Sequence, residues 1–156
     1  MNRQALYRAA AVPAASAPAN EAAAHEKPAL PVNTGTDALL FQDDPQFWFE
    51  ISRLFGAADY GGALFGEVIG IAKSITSGDY GSWYDGNNAF ADRFVNEADS
   101  QIKKGHRISA RDNYLRACSY YRSAEFFLHA NPADPRIKRA FERSVASYKA
   151  AVVLVM

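Results

Sequence analysis

A chain of 156 residues, 49% hydrophobic and 13% aromatic, is long enough for one domain with a core of its own. Seventeen basic and seventeen acidic residues cancel, which removes any overall pull toward nucleic acid or an anionic membrane surface. The single cysteine, Cys118, excludes an intrachain disulfide, and no apolar run nears the roughly 20 residues that span a bilayer.

Residues 1–36 are dominated by alanine and proline and lack large apolar side chains, so a disordered tail is expected there. Its alanines are too short and too interrupted by Pro13 and Pro18 for a signal-peptide core, and a cytoplasmic location is the default expectation. From residue 37 the pattern predicts an all-α domain, an antiparallel bundle of about five helices reaching residue 156. Asp44-Pro45 reads as an N-cap followed by proline at the first helical position, opening a helix striped by Phe47, Ile51, Leu54 and Ala58. After Gly61-Gly62, a second helix carries Leu64, Val68, Ile71 and Ile75 and stops at Ser77-Gly78.

Asp79 is expected to cap a third, longer helix with the stripe Ala91, Phe94, Val95, Ala98 and Ile102, ending at Lys103-Lys104-Gly105. Ser109-Ala110-Arg111-Asp112 has the shape of a capping box and predicts the start of a fourth helix, which runs to Asn131-Pro132. Asp134-Pro135 repeats the cap-and-proline device for a fifth, striped by Ile137, Phe141, Val145, Tyr148 and Val152. Its close, Val152-Val153-Leu154-Val155-Met156, has no glycine stop or polar tail. That is expected where an apolar end packs against a further segment; a last turn tucked into the core is the other reading.

Charge is unevenly placed. Residues 37–100 carry eleven acids and three bases, residues 101–156 eleven bases and four acids. Acidic helices lying against basic ones is the preferred reading, and a basic face awaiting an acidic partner the other. Chemistry-bearing motifs are scarce. The Gly-x-Ser-x-Gly turn that exposes a serine nucleophile is missing, no P-loop is present, and His25, His106 and His129 lack the spacing of a metal site on one helix. No cofactor is implied. One cluster stands out: Arg122, Glu125 and His129 share a helix face beside Tyr121 and Phe126, with Glu125 one turn before His129. These five residues are the candidates for lining a substrate cavity; an intrahelical charge network is the plainer reading and the preferred one.

Several stretches carry a resemblance. Asp44-Pro45-Gln46-Phe47-Trp48-Phe49-Glu50, Arg53-Leu54-Phe55-Gly56-Ala57-Ala58, Tyr60-Gly61-Gly62, Gly78-Asp79-Tyr80 with Ser82-Trp83-Tyr84-Asp85, and Gly105-His106 with Ser109-Ala110-Arg111 are its parts. The longest is Tyr120-Tyr121-Arg122-Ser123-Ala124-Glu125-Phe126-Phe127-Leu128-His129, followed by Asn131-Pro132 and Asp134-Pro135-Arg136. Together they resemble the N-terminal helical region of the α/β-hydrolases that include dihydroxypseudooxynicotine hydrolases, bacterial esterases and fungal pigment-pathway hydrolases. The resemblance implies helices packed over an α/β core that cleaves esters, or carbon–carbon bonds next to a carbonyl, with a Ser-His-Asp triad and an oxyanion hole. None of those catalytic groups has a counterpart in this sequence, and His129 matches a helix motif, not the triad histidine. Gly86-Asn87-Asn88 departs from the bulkier Glu-Trp found in many members.

Two classes of function follow. In the first, the chain is a truncated or split hydrolase fragment: a lid that shapes substrate, not catalytic by itself, whose partner is a catalytic core that is missing or on another chain. In the second it is a stand-alone helical interaction module of tetratricopeptide type, although no repeat of fixed period is found. Homo-oligomerisation is left open by either; nucleic acid and membrane are not expected partners.

Overall fold

The computed structural model describes residues 39–155. The tail expected over residues 1–36 lies outside the described residues. The described residues are all-α, as the sequence predicts. Five helices follow in order: α1 (Pro45–Gly56), α2 (Phe65–Lys73), α3 (Tyr80–Lys103), α4 (Arg107–Ala124) and α5 (Pro135–Val152). Two short 3-10 segments, Ala57–Tyr60 and Phe126–Ala130, follow α1 and α4.

The three predicted aspartate caps all form. Asp44 accepts from the Phe47 amide at 3.0 Å, Asp79 from Gly81 at 2.8 Å, and Asp134 from Arg136 at 2.9 Å. Each satisfies an amide that has no partner within its helix. Gly61, Gly78 and Gly105 take positive φ in the turns between elements, a conformation that costs a glycine little.

Helix α4 is the centre of the bundle, with α3 packed along one side and α5 along another. Three residues link α3 to α4, which makes the pair an antiparallel hairpin. The core is strongly aromatic. Phe47 of α1, Trp83 of α3 and Phe127 of the second 3-10 segment meet with ring centroids 4.7–4.9 Å apart, and Tyr80 stacks on Phe127 at 4.9 Å. The Trp83 indole N–H donates to the Ser123 carbonyl at 2.9 Å, so its one polar atom is satisfied inside the core. Gly86 lets α3 approach the segment after α2: a Cβ there would lie 2.6 Å from Ser74 Oγ and 3.1 Å from Ile75 Cγ1. The departure at Gly86 therefore has a packing reason.

Four details differ from the sequence reading. Helix α2 ends at Lys73, with Leu64 exposed at its N-cap and Ile75 buried beyond its end. The capping box at Ser109 does not form, because the N-cap of α4 lies three residues earlier, at His106 after the Gly105 turn, and the helix starts at Arg107. Helix α4 stops at Ala124 and its expected last turn is 3-10. The fifth helix buries Ala140, Ser144, Ser147 and Ala151, while Phe141, Tyr148 and Val152 of its predicted core stripe are exposed. Val153 and Val155 are exposed as well, so the final turn is not tucked into the core.

The acidic and basic parts of the sequence meet at two places. Arg116 of α4 pairs with Glu67 of α2 at 3.3 Å, and Arg143 of α5 with Asp92 of α3 at 2.6 Å. The other ion pairs found among the described residues join near neighbours in sequence.

Candidate functional site

The five candidates from α4 and its 3-10 extension part company in space. Tyr121 is fully enclosed, and its hydroxyl donates to Asp92 Oδ1 at 2.5 Å. The Arg143 guanidinium lies over the Tyr121 ring, 4.6 Å from its centroid, and also holds Asp92. Asn88 donates to the other Asp92 oxygen at 3.1 Å. Tyr121 thus ties α3, α4 and α5 together from within the core.

Arg122 and Phe126 face α1. With Glu50, Arg53, Leu54, Ser119 and Ser123 they line a cleft of about 220 Å³ between α1 and α4. Glu50 is buried and takes Arg53 Nη1 on both carboxylate oxygens, at 3.0 and 3.2 Å. The Arg53 guanidinium sits 5.7 Å from the centre of the Phe126 ring, a cation–π contact that fixes both groups as one wall. Arg122 reaches back to Glu125 at 2.5 Å. The cleft therefore offers two guanidinium groups and two serine hydroxyls beside one aromatic face. It is smaller than the roughly 300 Å³ at which pockets for small-molecule ligands begin.

Glu125 and His129 point the other way. They line a shallow groove with Pro132, Asp134, Ile137 and Phe141, between the 3-10 segment and the start of α5. Glu125 is only 3% exposed and bridges Arg122 on one side and His129, at 3.9 Å, on the other. That is the intrahelical charge network of the plainer reading, stretched across the junction of two helix types. Arg122 and His129 thus meet through Glu125, although Arg122 lines the α1–α4 cleft and His129 the groove beside α5.

Sequence reasoning missed Glu50, Arg53, Ser119 and Ser123. The Glu50–Arg53 spacing of three residues was a visible ion-pair signal, but nothing local indicates that α1 crosses α4 there. No histidine is among the residues lining this cleft, so neither serine has there the base that would activate it. Among the described residues no group of three His, Cys, Asp or Glu side chains is placed to hold a metal ion. No described helix is long and apolar enough to cross a membrane.

Burial sets the acid–base behaviour of three tyrosines. Tyr114, desolvated and donating to Asp99 at 2.5 Å, is pushed up to about 12. Tyr120 and Tyr121 are driven higher by deeper burial and by the carboxylates of Glu67 and Asp92 that accept their protons' hydrogen bonds. All three are raised above the ordinary value of 10.0. The stability these three hydroxyls contribute is therefore fully present below pH 10 and is lost as the pH climbs toward and past 12. Helicity followed against pH should hold to about 10 and then fall, with the phenolate absorbance of the buried pair Tyr120 and Tyr121 appearing only on unfolding.

No family model and no solved structure matches the chain. Curated proteins do. It is 38% identical over 109 residues to hydrolase acrC of Aspergillus aculeatus, which covers 70% of this chain and 26% of that protein. Identity is also 38% over 109 residues, with the same coverage, to the 20-hydroxy-prefusarin hydrolase FUS2 of Gibberella moniliformis. The α/β-hydrolase xenA of Xenoacremonium sinensis is 34% identical over 118 residues, 74% of this chain and 27% of that protein. The chain spans about a quarter of the length of these relatives.

Proposed function

Since this chain belongs, through its helical region, to the α/β-hydrolase family of those fungal pathway hydrolases, we propose that it is the lid and substrate-shaping part of a serine hydrolase acting on esters or on carbon–carbon bonds beside a carbonyl. The observation that carries the reading is the α1–α4 cleft: an aromatic face and two arginines gathered on one wall, with no activated nucleophile in it. Such a wall binds and orients; the chemistry needs a nucleophile, a base and an oxyanion hole. Those would come from an α/β core that lies outside this sequence. In this role Arg53 and Arg122 hold carbonyl or hydroxyl oxygens of the substrate, and Phe126 packs on its ring or chain.

Two measurements test the proposal. The chain alone should leave p-nitrophenyl acetate unhydrolysed above the buffer rate; turnover that vanishes on mutating one of its own residues would overturn the reading. Next, residues 39–155 are grafted in place of the matching quarter of the Aspergillus aculeatus hydrolase. The graft should turn over that hydrolase's substrate. Arg122→Ala and Phe126→Ala in it should raise KM about tenfold with a smaller change in kcat, as expected when binding contacts are lost. A folded, active graft indifferent to both substitutions would show that this wall touches no substrate.

A further inference from the structure

Helix α5 rests on α4 through small side chains, and its larger apolar residues occupy the adjoining face. Phe141, Val145, Tyr148 and Val152 succeed one another by four, three and four residues, the spacing of a coiled-coil seam. Phe141 and Tyr148 are 55% and 54% exposed. Along the free edge of this stripe stand Glu142 and Lys149, seven residues apart and so on one side of the helix. Both are exposed; Glu142 has Lys138 of its own helix 3.8 Å away, and Lys149 has no ion pair among the described residues. The other edge, Ser144 and Ala151, is already buried.

We infer that a second copy of this chain covers the stripe, with the two α5 helices antiparallel about a two-fold axis. A two-fold interface requires that where residue i meets j, j also meets i. In an antiparallel seam, Val145 of one copy faces Tyr148 of the other, and Phe141 faces Val152. Every large apolar side chain of the stripe is thereby matched. The same axis sets Glu142 of each copy against Lys149 of the other, one opposite-charge pair on either side of it. A parallel pair would carry the two Glu142–Lys149 edges on opposite sides of the seam, where neither charge meets its opposite. This self-complementarity of shape and charge assigns the face to a second copy. The α1–α4 cleft is lined by no residue of α5, so the inference does not depend on the proposed function.

The test is sedimentation velocity of the full chain between about 5 and 200 µM. The expected result is a monomer that becomes a dimer within this range. Glu142→Lys should weaken the dimer about fivefold to tenfold, because it sets lysine against lysine twice. Adding Lys149→Glu in the same chain should restore it, and Tyr148→Lys should abolish it. Circular dichroism checks that these surface variants keep their helices. A monomer at every concentration overturns the inference. So does a dimer indifferent to the charge swap and to Tyr148→Lys, because its contact then lies elsewhere. A monomer whose stripe is protected from hydrogen exchange only inside the grafted hydrolase gives the face to the catalytic core, and overturns it equally.

Discussion

Trp83→Ala should cost the domain about 3–5 kcal/mol of unfolding free energy, the range for deleting a buried tryptophan. The indole is wholly enclosed and touches Phe47 and Phe127 on two other elements. Its removal also takes from the Ser123 carbonyl the indole N–H that donates to it at 2.9 Å. Domains of this size hold only about 5–15 kcal/mol in total, so the loss takes a large share of the margin. A urea titration should show the midpoint falling sharply, and a thermal melt a drop of roughly 10–20 °C. Trp83→Phe separates the contributions. It keeps an aromatic ring in the cluster, loses the hydrogen bond, and should cost much less than the alanine variant. A Trp83→Ala midpoint within error of the parent would mean that α1, α3 and the 3-10 segment do not share one core.

Asp92→Ala should be the next most damaging change, at about 2 kcal/mol, although Asp92 is itself half-buried and polar. The carboxylate accepts from Tyr121, Asn88 and Arg143, which reach it from α4, α3 and α5. Without it, the hydroxyl of an enclosed tyrosine has lost its acceptor. Asp92→Ala combined with Tyr121→Phe should therefore cost less than the sum of the two single changes, since the second removes the stranded donor. Strict additivity of the two would show that the tyrosine finds another acceptor.

The sequence made the helix starts legible because caps are local chemistry. An aspartate followed by proline announces α1 and α5 without reference to anything distant, and Asp79 does the same for α3. The face of α5 was not legible from periodicity. Large apolar side chains and small ones both recur at helical spacing there, and hydropathy favours the large. The bundle uses the small ones, because Ala140, Ser144 and Ala151 let α5 lie close along α4. The end of α4 was hidden for another reason: nothing in Ser123-Ala124-Glu125-Phe126 distinguishes an α turn from a 3-10 turn until the core asks for Phe127. The cleft was half legible. Arg122 and Phe126 were found, while their α1 partners Glu50 and Arg53 lie about seventy residues away in sequence, joined to them only by tertiary packing.

The 3-10 segment carries a consequence of its own. Phe126 forms part of the cleft wall, and its immediate neighbour Phe127 is clamped among Phe47, Tyr80 and Trp83. The backbone between them cannot shift without disturbing the aromatic cluster. The wall is thus preorganised, and a molecule that settles on it pays little conformational entropy for ordering the surface it meets.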